Sequence, residues 1–203
     1  MINGYFDHIY CINLDHRTDK WDQCLKEFEK HGLTVERMSG VDGKTLPAHE
    51  TLIPGELGCA MSHAKVLKDI AEKGYKRALI LEDDVEFIPD LQEYWSLNAQ
   101  HIPENWTMLY FGGNHLNPPR MVNRAISRIT KTYTTSHYAV TGTFANAVYK
   151  RVETTKAQVD VMYTTFQPGS ESFAFNPPIA WQRPTLSDIQ GVWTDYTSHM
   201  KKR

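Results

Sequence analysis

Three consecutive acids, Glu82-Asp83-Asp84, follow directly on the apolar run Leu79-Ile80-Leu81. Carboxylates this crowded raise one another's pKa unless a cation or hydrogen bonds offset the repulsion. Residues i and i+2 of an extended segment point the same way. Glu82 and Asp84 are therefore expected to converge on one cation, with Asp83 facing elsewhere. Hard oxygen ligands suit Mn²⁺ or Mg²⁺, ions that commonly bridge protein carboxylates to substrate phosphates.

Two further polar groups sit near turns. In Ile12-Asn13-Leu14-Asp15-His16-Arg17, Asn13 and Asp15 can bond a base or ribose and Arg17 can meet a phosphate. In Gly55-Glu56-Leu57-Gly58-Cys59-Ala60-Met61-Ser62-His63, two glycines at a helix start permit close backbone approach, to a ligand or to a strand. Cys59 and His63 share the four-residue spacing of one helix face, yet two ligands make no metal site. Each group also has a plainer reading. An acidic triplet can be a solvated cap or turn, and locally it looks like a phospho-acceptor pocket. The Asn13–Arg17 segment can be a helix-start turn with a surface arginine.

Elements must deliver these side chains to one place. Residues 8–14 read as a strand. Trp21, Cys24, Leu25 and Phe28 then recur at helical spacing after Thr18, a candidate cap, and Gly32 stops that helix. A strand over 34–38 follows, then a helix over 57–73 stopped by Gly74 and a buried parallel strand over 77–81. A helix near 90–100, capped by Asp90, precedes strands over 106–111 and 137–141. One or two helices over 143–163 and a late strand around 173–175 complete an α/β pattern. In open α/β sheets ligands bind beyond the carboxyl ends of the strands, where the acidic triplet lies. Between Asn117 and Ser136 the pattern loosens. Arg120, Arg124 and Arg128 recur there every four positions, with Lys131 close by. They make a basic stripe for an anionic acceptor if helical, or the solvated face of a flexible acceptor flap.

Composition narrows the class. The 203 residues fit one domain, 1–203, better than two. A chain of this length buries roughly 70% of its unfolded surface without disulfides or metal. With 41% hydrophobic and 23% charged residues it is neither disordered nor fibrous. Lys+Arg 22 against Asp+Glu 24 leaves a net charge of -2, which lacks the footprint of a nucleic-acid binder. No run approaches the ~18–20 apolar residues of a membrane span. The first residues show no basic n-region and no apolar h-region, so no secretory signal is read and a cytoplasmic setting is expected. Cys11, Cys24 and Cys59 form no CxxC pair and read as buried, reduced thiols.

Taken in order, "YCINLDHR" (Tyr10–Arg17), "GELGCAMSH" (Gly55–His63) and "LILEDDV" (Leu79–Val85) resemble glycosyltransferase family 25, which includes lipopolysaccharide and procollagen galactosyltransferases. Shorter echoes are "VDG" (41–43), "YFGG" (110–113), "VTGTFA" (140–145), "QVDV" (158–161) and "FNPPIAWQ…LSDI" (175–189). The resemblance implies a GT-A-type, Rossmann-like sheet flanked by helices that binds a nucleotide-sugar, usually UDP-linked, with Mn²⁺ or Mg²⁺. It implies Glu82 and Asp84 as metal ligands, Asp84 the most direct. Gln182, near where some collagen-modifying relatives have His, is the candidate third ligand. Asn13, Asp15, Arg17 and Asp42 fall on the nucleotide side, and Ser62 and His63 beside the ribose or sugar. Leu14, Gly43, Glu56 and Asp83 join the substrate side, as do Gly112, Gly113 and Gly142. Trp181 and Trp193 are candidates to stack on a sugar face. Lys20 replaces the second Arg of many relatives and keeps its charge. The closing Lys201-Lys202-Arg203 is not an ER-retention signal.

The implied reaction moves a hexose, galactose or glucose, from a UDP-sugar to a hydroxyl of a glycan or hydroxylated protein, with inversion. Inversion needs a base facing the acceptor. Glu82 and Asp84 are committed to the cation, and Asp15 and Asp42 to the nucleotide. Asp160, set among Val159, Val161 and Met162, is therefore the first candidate, and Asp188 the second. Two alternatives belong to other classes: a non-catalytic nucleotide-sugar-binding module, and a receiver-like phospho-acceptor domain.

Overall fold

In the computed structural model, which describes residues 1–200, the first strand is β1 (His8–Asn13). Helix α1 (Thr18–His31) returns the chain to β2 (Glu36–Ser39), parallel to β1. Helix α2 (Pro54–Lys73) leads to β3 (Arg77–Glu82), parallel to β1 on its other side. Next come β4 (Val85–Phe87), α3 (Leu91–Asn98) and β5 (Met108–Tyr110). Four short strands follow: β6 (Asn114–His115), β7 (Arg120–Met121), β8 (Ile126–Arg128) and β9 (Thr132–Tyr133). After β10 (His137–Thr141) come α4 (Gly142–Glu153), α5 (Val159–Tyr163), β11 (Ser172–Phe175) and β12 (Ala180–Gln182). The pair β13 (Thr185–Leu186) and β14 (Trp193–Thr194) precedes α6 (Thr197–Met200). Lys201-Lys202-Arg203, considered above as a tail signal, lies outside the described residues.

The expected α/β, GT-A-type sheet flanked by helices is the architecture observed. Eight strands form one sheet in the order β2-β1-β3-β10-β5-β11-β8-β7. It is mixed, because β10 runs antiparallel to both β3 and β5. Alternation along β3 explains its unbroken apolar run: Leu79 and Leu81 face one core, Ala78 and Ile80 the other. The first core packs Cys24 and Phe28 of α1 and Leu91 and Trp95 of α3 under Cys11 of β1. The second packs Ala64, Leu67 and Ile70 of α2 and Val148 and Val152 of α4 under Tyr10. Gly32 and Gly74 end α1 and α2 at φ of 61° and 70°, the left-handed turn expected of them. Among the described residues, no helix is long and apolar enough to cross a membrane.

Several local expectations change. Thr18 is the first helical residue and not the cap, and Asp90, though at the cap position of α3, makes no capping bond. The buried stripe of α1 is Lys20, Cys24, Phe28 and His31, while Leu25 points outward. Residues 117–136 form no basic helix. There β7 and β8 extend the edge of the sheet, and β6 pairs with β9. Arg128 pairs with Glu171 and lies over the Phe173 ring, and Arg124 donates to the Leu97 carbonyl. Strands of two or three residues are too short to show period-2 alternation in a sequence.

Candidate active site

The carboxyl ends of β1 and β3 lie side by side, with Ile12 opposite Glu82. They open into a cavity of about 410 Å³, closed by the start of α2, the start of α5, the β9–β10 connection and residues 182–200. All three acids line it, but for a different reason from the one expected. β3 stops at Glu82, and Asp83-Asp84 form a turn. Strand alternation therefore ends at Glu82, and the three carboxylates go to different partners.

Glu82 accepts hydrogen bonds from His63 Nε2 and Thr135 Oγ1, each at 3.1 Å. Burial pulls its pKa up, but His63 and Thr135 hold it below the ordinary value. Asp83 accepts from Asn13 Nδ2 at 2.8 Å, with Lys20 Nζ at 3.4 Å. Burial raises its pKa against the pull of Lys20 and Asn13. Asp84 accepts from Gln182 Nε2 at 3.2 Å, while its Oδ1 is buried with no hydrogen-bond partner among the described residues. Burial, then the charges of Glu82 and Asp83, push the Asp84 carboxyl up to about 8. An orphaned, buried carboxylate oxygen is short of a positive charge or a donor. With Glu82, and with Gln182 turned to present its Oε1, it makes a hard, all-oxygen set of the kind that can hold a divalent cation.

Asp160 enters the same cavity from the first turn of α5. It accepts from Val161 N at 2.7 Å and, more weakly, from Thr134 N at 3.4 Å. Burial raises its pKa, against those two N–H groups and helped by Glu82. Thr134 sits at φ 85°, an unusual backbone for a β-branched residue, and its N–H faces Asp160. A raised carboxylate pKa in a cavity is the property a general base needs.

Residues 6–163 match the family model described as glycosyltransferase family 25 (LPS biosynthesis protein). The chain belongs to glycosyltransferase family 25. A "Glycosyltransferase 25 family member" of Anopheles gambiae is 32% identical over 130 residues, 54% of this chain and 22% of that protein. "Procollagen galactosyltransferase 2" of Mus musculus is 25% identical over 162 residues, 66% of this chain and 26% of that protein. The chain thus spans about a quarter of the length of these relatives. Among solved structures, A197 from STIV aligns with a TM-score of 0.51 over 93% of this chain and 94% of that one, at 13% identity, a likeness of fold. Family 25 membership sets aside the phospho-acceptor alternative.

Within this family 25 chain, Leu14, Asp42, Gly43 and Glu56 line the cavity. Asn13, Ser62, His63, Asp83 and Asp188 line it too, with polar atoms already bonded within the protein. Asn13 spends both amide hydrogens on Asp83 and the Arg17 carbonyl and accepts from Arg37, so it braces the turn and has no hydrogen left for a base or ribose. Asp15 lies outside the cavity lining, bonded to Arg37 and Ser39. Arg17 is also outside it, paired with Asp19 and Asp188. Ser62 donates to Gly58 O at 2.7 Å and accepts from Val41 N at 2.8 Å, stapling the 40–43 loop to α2. A Cβ on Gly58 would stand 2.5 Å from Val41 O and one on Gly55 2.6 Å from Ile189 Cα, so the close approach of the α2 glycines is to the 40–43 loop and to residue 189. His63 lines the cavity, buried, with one nitrogen on Glu82 and the other on Tyr138 OH.

Asp188 is held by Lys20 at 2.7 Å and by Arg17. Burial raises its pKa, but the two cations bring it below the ordinary value. Gly112 and Gly113 lie outside the cavity lining; side chains there would strike Ala180 O and Thr132. Gly142 is at the far end of β10, where a Cβ would sit 2.0 Å from Tyr75 O. Trp181 alternates with Gln182 on β12, so it turns away from Asp84 and donates to Glu86. Trp193 is exposed. Lys20 and Thr135 are contributors that sequence reasoning underused. Lys20 shares the i, i+4, i+8 stripe of Cys24 and Phe28, a signal present in the sequence. Thr135 carried none.

Proposed function

We propose that this chain moves a hexose from a UDP-sugar to a hydroxyl of a glycan or hydroxylated protein acceptor, inverting the anomeric carbon. The observation that carries this reading is the buried, unpartnered Asp84 Oδ1 in an acidic cluster at the carboxyl ends of β1 and β3. Asp84 and Glu82, with Gln182 turned, would hold Mn²⁺ or Mg²⁺. When bound, such an ion supplies Lewis-acid stabilisation of the charge developing on the departing diphosphate. Lys20 and Asn13 fix Asp83, which keeps the cluster in place. Asp160 takes the proton of the acceptor hydroxyl. The oxygen so freed bonds to the anomeric carbon as the bond to the diphosphate breaks, and the proton stays on the Asp160 carboxyl. The relatives named as procollagen galactosyltransferases support galactose and a hydroxylated protein as the first donor sugar and acceptor to try.

UDP release over a panel of UDP-sugars, each with Mn²⁺ and with excess chelator, tests this reading. At least one UDP-hexose should be turned over with Mn²⁺ and not in chelator. Turnover unchanged in chelator overturns the metal assignment. Failure of every UDP-sugar to bind or react overturns the donor class. Binding without turnover across acceptors leaves the non-catalytic module.

A further inference from the structure

Cys59 and His63 stand one turn apart on α2 and face the same way. The end of β3 brings a third ligand to them. Cys59 Sγ, a ring nitrogen of His63 and a carboxylate oxygen of Glu82 lie within 4.8 Å of one another. All three residues line the cavity. Sulfur, nitrogen and oxygen around a tetrahedral zinc, at about 2.0–2.3 Å from the metal, stand roughly 3.5 Å apart. The trio is therefore looser than a closed site by about 1.3 Å at most. We propose that it is a cation site of its own, for a thiophilic divalent transition metal such as Zn²⁺, with the fourth position open to the cavity.

Ligand chemistry distinguishes this trio from the oxygens around Asp84. Thiolate and imidazole select zinc-like ions, whereas carboxylate and amide oxygens suit Mg²⁺ and Mn²⁺. A metal-bound histidine normally gives its other ring N–H to an outer partner, which fixes the tautomer. That partner is in place: Tyr138 OH lies 2.9 Å from His63 Nδ1 and 3.0 Å from Tyr163 OH. With Nδ1–H donating to Tyr138 and Tyr138 donating to Tyr163, His63 Nε2 presents its lone pair towards Cys59 and Glu82. Loading the ion replaces the His63–Glu82 hydrogen bond and releases the Cys59 thiol proton to solvent. Cys11 and Cys24 belong to the core on the other face of the sheet, so a thiolate-bound ion at the cavity reports on Cys59. Glu82 is common to both sets, and competition between the two ions for it rests on the proposed function. The zinc-type site itself does not.

Co²⁺ titrated into the metal-free chain, with no donor or acceptor present, reads the site through sulfur-to-cobalt charge-transfer absorption. A saturable band is expected, abolished by Zn²⁺. Cys59→Ser should lose the band and bind Zn²⁺ more than about tenfold more weakly, while Tyr138→Phe should keep the band and lose about 10–100-fold in affinity. Circular dichroism checks the fold of each variant, and His63→Asn replaces Cys59→Ser if the latter does not fold. A wild-type chain without the band at saturating Co²⁺, or a band that survives in folded Cys59→Ser, overturns the proposal. Sugar transfer plays no part in this readout, so its failure and that of the proposed reaction are separate results.

Discussion

Asp84→Asn is expected to stabilise the metal-free chain at neutral pH, by an amount that grows with pH. Asp84 titrates at about 8 in the folded chain and at about 3.9 once unfolded. Between those values the folded chain holds a proton that the unfolded chain has released. Stability therefore falls as pH rises, by about 1.4 kcal/mol per unit for a whole proton. The interval from pH 5 to pH 7 lies inside the window, so across it Asp84 costs the wild type roughly 3 kcal/mol. Asn keeps the shape and still accepts from Gln182, but has no proton to lose. In a chain of this length 1 kcal/mol moves the melting midpoint by about 2–4 °C. The gap between variant and wild type should therefore widen by roughly 6–12 °C from pH 5 to pH 7. Thermal unfolding of both chains in chelator, at pH 5, 6 and 7, measures it. Mn²⁺ added at pH 7 should raise the wild-type midpoint and leave the variant's in place, because an ion that binds the folded state stabilises it by mass action. Midpoints that run parallel across pH in chelator would refute a proton held on Asp84.

Asp160→Asn should bind UDP with wild-type calorimetric affinity and transfer sugar about 10²–10⁴-fold more slowly; a rate within about threefold of wild type would move the base elsewhere. In the wild type, burial of Asp160 should place the acid limb of kcat/KM above the ordinary carboxylate range, visible in a pH–rate profile. Lys20→Met strips Asp83 and Asp188 of their buried cation and should cost about 3–5 kcal/mol in urea unfolding; a loss under about 1 kcal/mol would class the pairs with solvent-exposed ones. Gly142→Val forces a side chain onto Tyr75 O and should cost at least about 1–3 kcal/mol, with UDP affinity of the folded fraction unchanged. A selective loss of UDP affinity there would restore Gly142 to the substrate side.

Some of this protein was written locally. The continuous apolar run of β3 announced a strand covered on both faces, and Gly32 and Gly74 marked the helix stops they make. Three acids beyond a buried strand placed the cluster at the carboxyl edge of the sheet. In each case the cause lies within a few residues: a side-chain period, a left-handed turn, a desolvated charge. The partners of those charges were not legible. Arg17 meets Asp188 from 171 positions away, and Thr135 reaches Glu82 across 53. Asn13, Ser62 and His63 carry chemistry suited to a ligand, yet neighbouring backbone and side chains take up their polar atoms. Cys59 and His63 showed two ligands by spacing, and the third came from β3. Periodicity places a side chain on a face. The register of β1 against β3 and the turn after Glu82 decide what that face meets, and both are set by packing between segments distant in the chain.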